Sequence, residues 1–308
     1  MLLWLGGSML IALLVAGTLG AGKAWADDFV VDNDGDATPP AGACTSAPDD
    51  CTLRDAITLA NGNAASDTIT FDLPANSTIV LTSGQLRVQN TAAGPDLTIE
   101  GPGADTLAVD GDDNARVFRI ASGAEATIEG LTITGGNASL GGGGIFNSGG
   151  TLTVNRSAVR GSSAGLGGGI YNGNGTLTVN DSTVSGNSAT GDDGGGIAND
   201  ATLTVNDSTV SGNSASNGGG IANNETVTAN RSTISGNNAT RGGGIYNGDG
   251  TLRVSDSTAS GNTAGSFGGG IYNNLGTTII EYTTITRNSA PQGEGSGVLT
   301  RGETLPQR

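Results

Sequence analysis

TLTVNDSTVSGNSA stands at residues 176–189 and again, letter for letter, at residues 202–215, 26 positions later. Its first residues alternate: Leu177 and Val179 are apolar with Thr178 between them, a spacing of two that belongs to a strand and not to a helix. Immediately before each copy lies a Gly-rich motif, GGGI-x-N. It recurs with its isoleucine at Ile145, Ile170, Ile197, Ile221, Ile245 and Ile271, and a weaker copy ends at Val298, giving steps of 25, 27, 24, 24, 26 and 27. A period in this range marks a solenoid, a propeller or an array.

Variation in the period sits in two places. Three or four residues separate the Asn of GGGI-x-N from the next L-x-V, and two to four separate the alanine of SGNSA from the next Gly-x-Gly, so 19 positions per repeat are constant. Laid on one another, the repeats form apolar columns. They run through the GGGI isoleucines, Leu152/Leu177/Leu203/Val227/Leu252, Val154/Val179/Val205/Ala229/Val254/Ile280, Val159/Val184/Val210/Ile234/Ala259/Ile285, and Ala164/Ala189/Ala215/Ala239/Ala264/Ala290. Three short strands per turn, broken by Gly, Asn, Asp and Ser, are too few residues for a propeller blade. The pattern predicts an all-β fold, a right-handed parallel β-helix in which each rung pairs with its neighbours and the columns become the core. Asn187, Asn213, Asn237, Asn262 and Asn288 recur in step inside a turn, and their amides are expected to bond to one another up the axis.

Before the clear repeats, DLTIEGPGADTLAVDG from Asp96 and ATIEGLTITGGNA from Ala126 read as degenerate rungs, with Ile128 and Ile133 in the Val179 and Val184 columns. The solenoid is therefore expected over residues 68–298, about ten coils and on the order of 45 Å of axis. Residues 27–67 form an N-terminal cap, because a solenoid end exposes unpaired backbone and must be covered. Within it Leu53, Ala56, Ile57 and Ala60 mark one face of a short capping helix, with Asp49 or Asp50 as N-cap and Gly62 just past its end. No matching cap follows Val298, where residues 299–308 form a polar tail, so a partner or further sequence is expected to cover that end.

Residues 1–26 read as a signal peptide: an apolar run from Met9 to Val15, then Ala24-Trp25-Ala26 as the cleavage motif. The first five residues carry no cation, which leaves Met9 as a second start and an uncleaved anchor as the second reading. An exported chain places Cys44 and Cys51 in an oxidising compartment, where two cysteines with six residues between them read as a disulfide. The net charge of −16 excludes nucleic acid as a partner and leaves a membrane only through export or that N-terminal segment.

Cys51-Thr52-Leu53-Arg54-Asp55-Ala56 resembles the C-S-L-R-E-A signature of the CSLREA domain of secreted bacterial β-helix proteins, departing at Thr52 and Asp55. The GGGI and Asn repeats are similar to those of polymorphic outer-membrane proteins. The resemblance implies a secreted or outer-membrane-associated, cell-surface protein of β-helix architecture. It implies little about activity, because the fold hosts adhesins, lyases and hydrolases alike.

The chain has no His, which removes the hydrolases that need one beside their aspartates. A Ca²⁺-dependent polysaccharide lyase needs a carboxylate cluster and a base. Asp192 and Asp193 form one candidate calcium site and Asp32, Asp34 and Asp36 another, although the plain reading of each is a solvated turn. Identical rungs argue against a catalytic constellation, which is necessarily unlike its surroundings. Next to each GGGI isoleucine an outward position holds Phe146, Tyr171, Ala198, Ala222, Tyr246 and Tyr272; its aromatics are candidates for stacking on sugar rings, against the plain reading that they cover backbone. The expectation is a non-catalytic scaffold or adhesin-like module without cofactor, meeting a surface or extracellular partner such as a carbohydrate. A calcium-dependent lyase is the alternative.

Overall fold

In the computed structural model the described residues are 28–36, 44–45, 47–62, 64–89, 96–292, 294–301 and 303–304. The expected leader lies outside them. Among the described residues the chain is an all-β parallel solenoid with one helix.

Each full coil visits four sheets. In one coil Thr176–Asn180 contributes to sheet I, Thr183–Ser185 to sheet II, Ser188–Ala189 to sheet III and Ile197–Asn199 to sheet IV. The alternation in TLTVN predicted sheet I, but three strands per turn were expected and the SGNSA corner supplies a fourth. Two residues are too few to read as a strand in isolation; they pair because the coils above and below bring identical backbone alongside, as Ser163↔Ser188 and Ala164↔Ala189 show. Sheets II and IV have nine strands each, so the solenoid has about nine coils and not ten. Sheet I has eleven strands and begins at Asp28–Val31, which pairs with Asp67–Phe71 ahead of the expected start at Thr68.

Register follows the sequence columns. Leu177 lies on Leu203, Val179 on Val205, Val184 on Val210 and Ile170 on Ile197, and these side chains are completely buried. The degenerate rungs join them, with Ile128 against Val154 and Ile133 against Val159. Each buried Leu, Ile or Val contributes about 1.5–3 kcal/mol, and a one-residue slip would turn the whole column out to solvent.

Polar ladders line the corners. The Asn187 column behaves as expected: each Nδ2 donates to the Oδ1 of the next coil at 3.0 Å from Asn187 to Asn213 and from Asn213 to Asn237, and its second hydrogen goes to a carbonyl of the coil before. A second ladder links Asn147, Asn172, Asn199, Asn223, Asn247 and Asn273 at 2.7–2.9 Å, so the Asn of GGGI-x-N is itself a rung. The third Gly of that motif exists for the first ladder: a Cβ on Gly169 would stand 2.8 Å from Asn187 Nδ2, and on Gly220 3.0 Å from Asn237 Nδ2. The N-x-S triplets carry two further columns. Asn180, Asn206 and Asn230 bond in series, and Ser182, Ser208 and Ser232 each accept the backbone N–H of the preceding coil's serine. Between them Asp181, Asp207 and Arg231 take positive φ, turning the chain from sheet I to sheet II.

The cap is a helix, Leu53–Ala60, whose Leu53, Ala56, Ile57 and Ala60 are buried against the first coil as the spacing predicted. Its N-cap is Thr52 and not Asp49 or Asp50: Thr52 Oγ accepts from Asp55 N–H while Asp55 accepts from Thr52 N–H, a capping box. Asp50 is occupied elsewhere, accepting from Thr45 N–H and Oγ. The C-cap is Asn61, and Gly62 follows it. Cys44 and Cys51 are disulfide-bonded, as expected. Arg54 grips Asp36 with Nε and Nη2, and donates to the carbonyls of Gly84 and Gln85, fastening the cap to the first coil.

Candidate functional site

Sheet IV presents one outward residue per coil. In register they are Arg87, Arg119, Phe146, Tyr171, Ala198, Ala222, Tyr246, Tyr272 and Leu299. The six from Phe146 to Tyr272 could be read from the GGGI motif, and the column proves to be two different surfaces.

Toward the C-terminal end it is closed. Tyr272 is 1 % exposed and Tyr246 9 %; the two rings lie 5.7 Å apart, and Phe267, from the corner before GGGI, packs 5.6 Å from Tyr272. With Ala222 and Leu299 these side chains form a second small apolar cluster outside the solenoid core. The sugar-stacking role expected for Tyr246 and Tyr272 is therefore corrected: their faces are taken by one another and by Phe267.

Toward the N-terminal end the column lies in an open groove. Phe146 and Tyr171 stack with ring centroids 5.2 Å apart and planes 8° from parallel. They line a cavity of about 640 Å³ with Arg116, Arg119, Leu140, Leu166 and Asp192. Leu140 stands on its rim, 79 % exposed. Tyr171 is held by its hydroxyl, which donates to Asp200 Oδ2 at 2.7 Å, and Asn224 holds the other oxygen of that carboxylate at 2.8 Å. Burial, then the Asp200 contact, pushes the Tyr171 phenol up to about 12.

Cations gather at the head of the groove. The Arg116 guanidinium carbon is 5.1 Å and that of Arg119 5.6 Å from the Phe146 centroid, within cation–π range. Arg116 is fixed by the carbonyls of Gly141 and Gly142 and by the Gln85 side chain. Burial, and secondarily the Arg119 charge, lowers its pKa. Arg87, directly across from Arg119 in the next strand, continues the line into an adjoining cavity of about 550 Å³ that also contains Asn61, Gln89 and Ser148. Sequence reasoning missed all three arginines. They lie in coils without GGGI, and for Arg87 and Arg119 the available signal was the triplets Leu86-Arg87-Val88 and Phe118-Arg119-Ile120, which superpose on Ile145-Phe146-Asn147.

The two acidic stretches are engaged within the protein. Asp32 accepts from Asp49 N–H and Cys51 N–H, and Asp36, 5 % exposed, accepts from Arg54 and from Thr82 N–H and Ser83 N–H, while Asp34 is exposed. Asp193 turns inward and accepts from Asn217 Nδ2 at 2.8 Å; desolvation raises its pKa, the Asn217 hydrogen bond opposes the rise, and Asp192 adds to it. Asp192 remains on the groove wall. Among the described residues no three His, Cys, Asp or Glu side chains gather where they could hold a metal ion.

Among the described residues no helix is long and apolar enough to cross a membrane. No family model matches the chain and no curated protein matches it, so the resemblances noted above rest on the quoted residues alone.

Proposed function

We propose that this chain is a non-catalytic, exported scaffold that binds a carbohydrate chain in the groove over Phe146 and Tyr171, displayed in the adhesin-like manner of a surface module. The observation that carries the reading is the parallel Phe146–Tyr171 stack on the floor of an open groove, beside an exposed Leu140. Sugars present faces of C–H bonds, and such faces pack on flat aromatic surfaces while ring hydroxyls reach polar groups at the edge. The groove runs along the solenoid axis, so an extended chain follows it naturally. The disulfide supports an oxidising compartment.

A glycan array probed with the full chain tests this. Binding to one or more glycans that is lost in Tyr171→Ala and retained in Tyr272→Phe is the expected result; a hit unaffected by Tyr171→Ala would remove the groove from the argument. The lyase alternative has less support, since among the described residues Asp192 is the one carboxylate lining the groove. It predicts unsaturated product, detected by ultraviolet absorbance, when the protein meets uronate polymers with calcium, and steady product formation would displace the scaffold reading.

A further inference from the structure

The head of the groove carries positive charge that the protein itself leaves unanswered. Arg87 and Arg119 are directly opposed on adjacent parallel strands, a placement of like charges that weakens a sheet. Arg116 adds a third guanidinium beside the same Phe146 ring. In a chain of net charge −16, partners were not scarce. Arg54, Arg156, Arg231 and Arg253 each sit against a carboxylate, whereas among the described residues Arg87, Arg116 and Arg119, like Arg160, Arg241, Arg287 and Arg301, have none within 4.0 Å; what sets the three apart is that Arg87 and Arg119 are opposed in register and Arg116 and Arg119 share one ring. Arg119 Nε is covered and has no hydrogen-bond acceptor, so its guanidinium is short of partners. Like charges gathered with no carboxylate among them are a feature that a bound anion would explain.

Resting on the carbohydrate reading above, we infer that the groove's occupant is an acidic polysaccharide, its carboxylate or sulfate groups received by Arg87 and Arg119 and its sugar faces by Phe146 and Tyr171. Guanidinium forks pair with planar oxyanions through two parallel hydrogen bonds, an arrangement a single ammonium could not offer. Arg116 has little freedom to turn toward a ligand, because its donors are taken by Gly141, Gly142 and Gln85; it contributes charge and a rigid wall. From Arg87 to Tyr171 the column crosses four strands, roughly 14 Å at the usual strand separation. Along that line two guanidinium groups are followed by two ring faces, a length that a polymer spans and a single small anion does not. Asp192 at the other end of the groove repels anionic groups there, which sets where along the groove the charged substituent sits.

Matched polymers test it. The full chain is titrated calorimetrically with polygalacturonate and with its methyl-esterified, neutral form, and in a second arm with sulfated and unsulfated dextran. The expected result is at least tenfold tighter binding to one acidic member than to its neutral twin, weakening as salt rises; the two arms separate carboxylate from sulfate. Arg87→Gln, an exposed position, and Arg119→Gln should each reduce that preference several-fold and together abolish it. Unaltered melting of each variant confirms that folding is intact, and Arg87→Lys should retain part of the preference. Equal binding to charged and neutral polymers, or a preference that survives the double variant, overturns the inference while leaving the carbohydrate reading in place. Failure to bind any of the four polymers or any arrayed glycan removes both.

Discussion

The two ends of the sheet IV column share backbone, register and alternation, yet one is a groove and the other a sealed cluster. Phe146 and Tyr171 pair across adjacent strands as Tyr246 and Tyr272 do. What differs is the corner that precedes GGGI. At the closed end that corner supplies Phe267, whose ring covers Tyr272. At the open end the corners end in Gly141 before Phe146 and Leu166 before Tyr171, so neither supplies a ring, and a Cβ on Gly141 would lie 2.3 Å from Tyr171 Cδ1. The variable corners therefore decide which part of the column stays open, while the constant residues keep the coils in step.

The largest effect should come from breaking the closed end. Tyr272→Ala removes a fully buried aromatic and leaves a void against Tyr246 and Phe267, a loss of about 3–5 kcal/mol. Tyr171→Ala, in the open half, should cost about 1 kcal/mol while abolishing glycan binding. Urea unfolding of both variants beside a binding assay checks the pair; equal destabilisation would show that the halves do not differ as described. Phe267→Ala comes next, at about 2–3 kcal/mol, because the ring is partly buried. It should also turn the closed end into an open one, raising the fraction of tyrosine fluorescence that iodide quenches. Tyrosine emission is read at its own wavelengths, apart from that of Trp4 and Trp25. Smaller again, Gly141→Ala should displace the Tyr171 ring and weaken glycan binding several-fold, with a change in stability of about 1 kcal/mol.

Most of the frame was legible in the sequence because its physics repeats: Leu177 and Val179 alternate, and each recurs where the coil above needs it. What failed to show was whatever depends on neighbours rather than on pattern. Ser188–Ala189 is a strand only because Ser163–Leu166 lies beside it. Alternation could say that Tyr272 points outward from the core, but not that Phe267 folds over it. The acidic residues before the helix looked like caps and ligands, yet Asp50 and Asp36 serve Thr45 and Arg54, and Thr52 takes the capping position. In the cap every letter of Cys51-Thr52-Leu53-Arg54-Asp55-Ala56 has a job: disulfide, N-cap, core, fastening of the first coil, capping box, core. Those jobs account for the motif physically, whatever its ancestry.

The subtlest distinction concerns protons. Tyr171 keeps its phenol protonated up to about 12, first because it is partly buried and second because its hydroxyl donates to the Asp200 carboxylate. A raised pKa in the folded state means that folding favours the neutral phenol over the unfolded chain's, which ionises at about 10. The resulting stabilisation is complete below pH 10, declines as pH rises through 12, and adds nothing more to lose beyond that. Burial raises the Tyr246 phenol as well, so wild type should show a delayed phase in tyrosinate absorbance from both rings. Asp200→Asn removes the negative charge and leaves burial, so the midpoint of the Tyr171 component should fall while remaining above 10, and the Tyr246 component should stay where it is. Ionisation of the Asp200→Asn protein along an unchanged curve would mean that the carboxylate does not hold Tyr171, and that the ring lies flat in the groove for packing reasons alone.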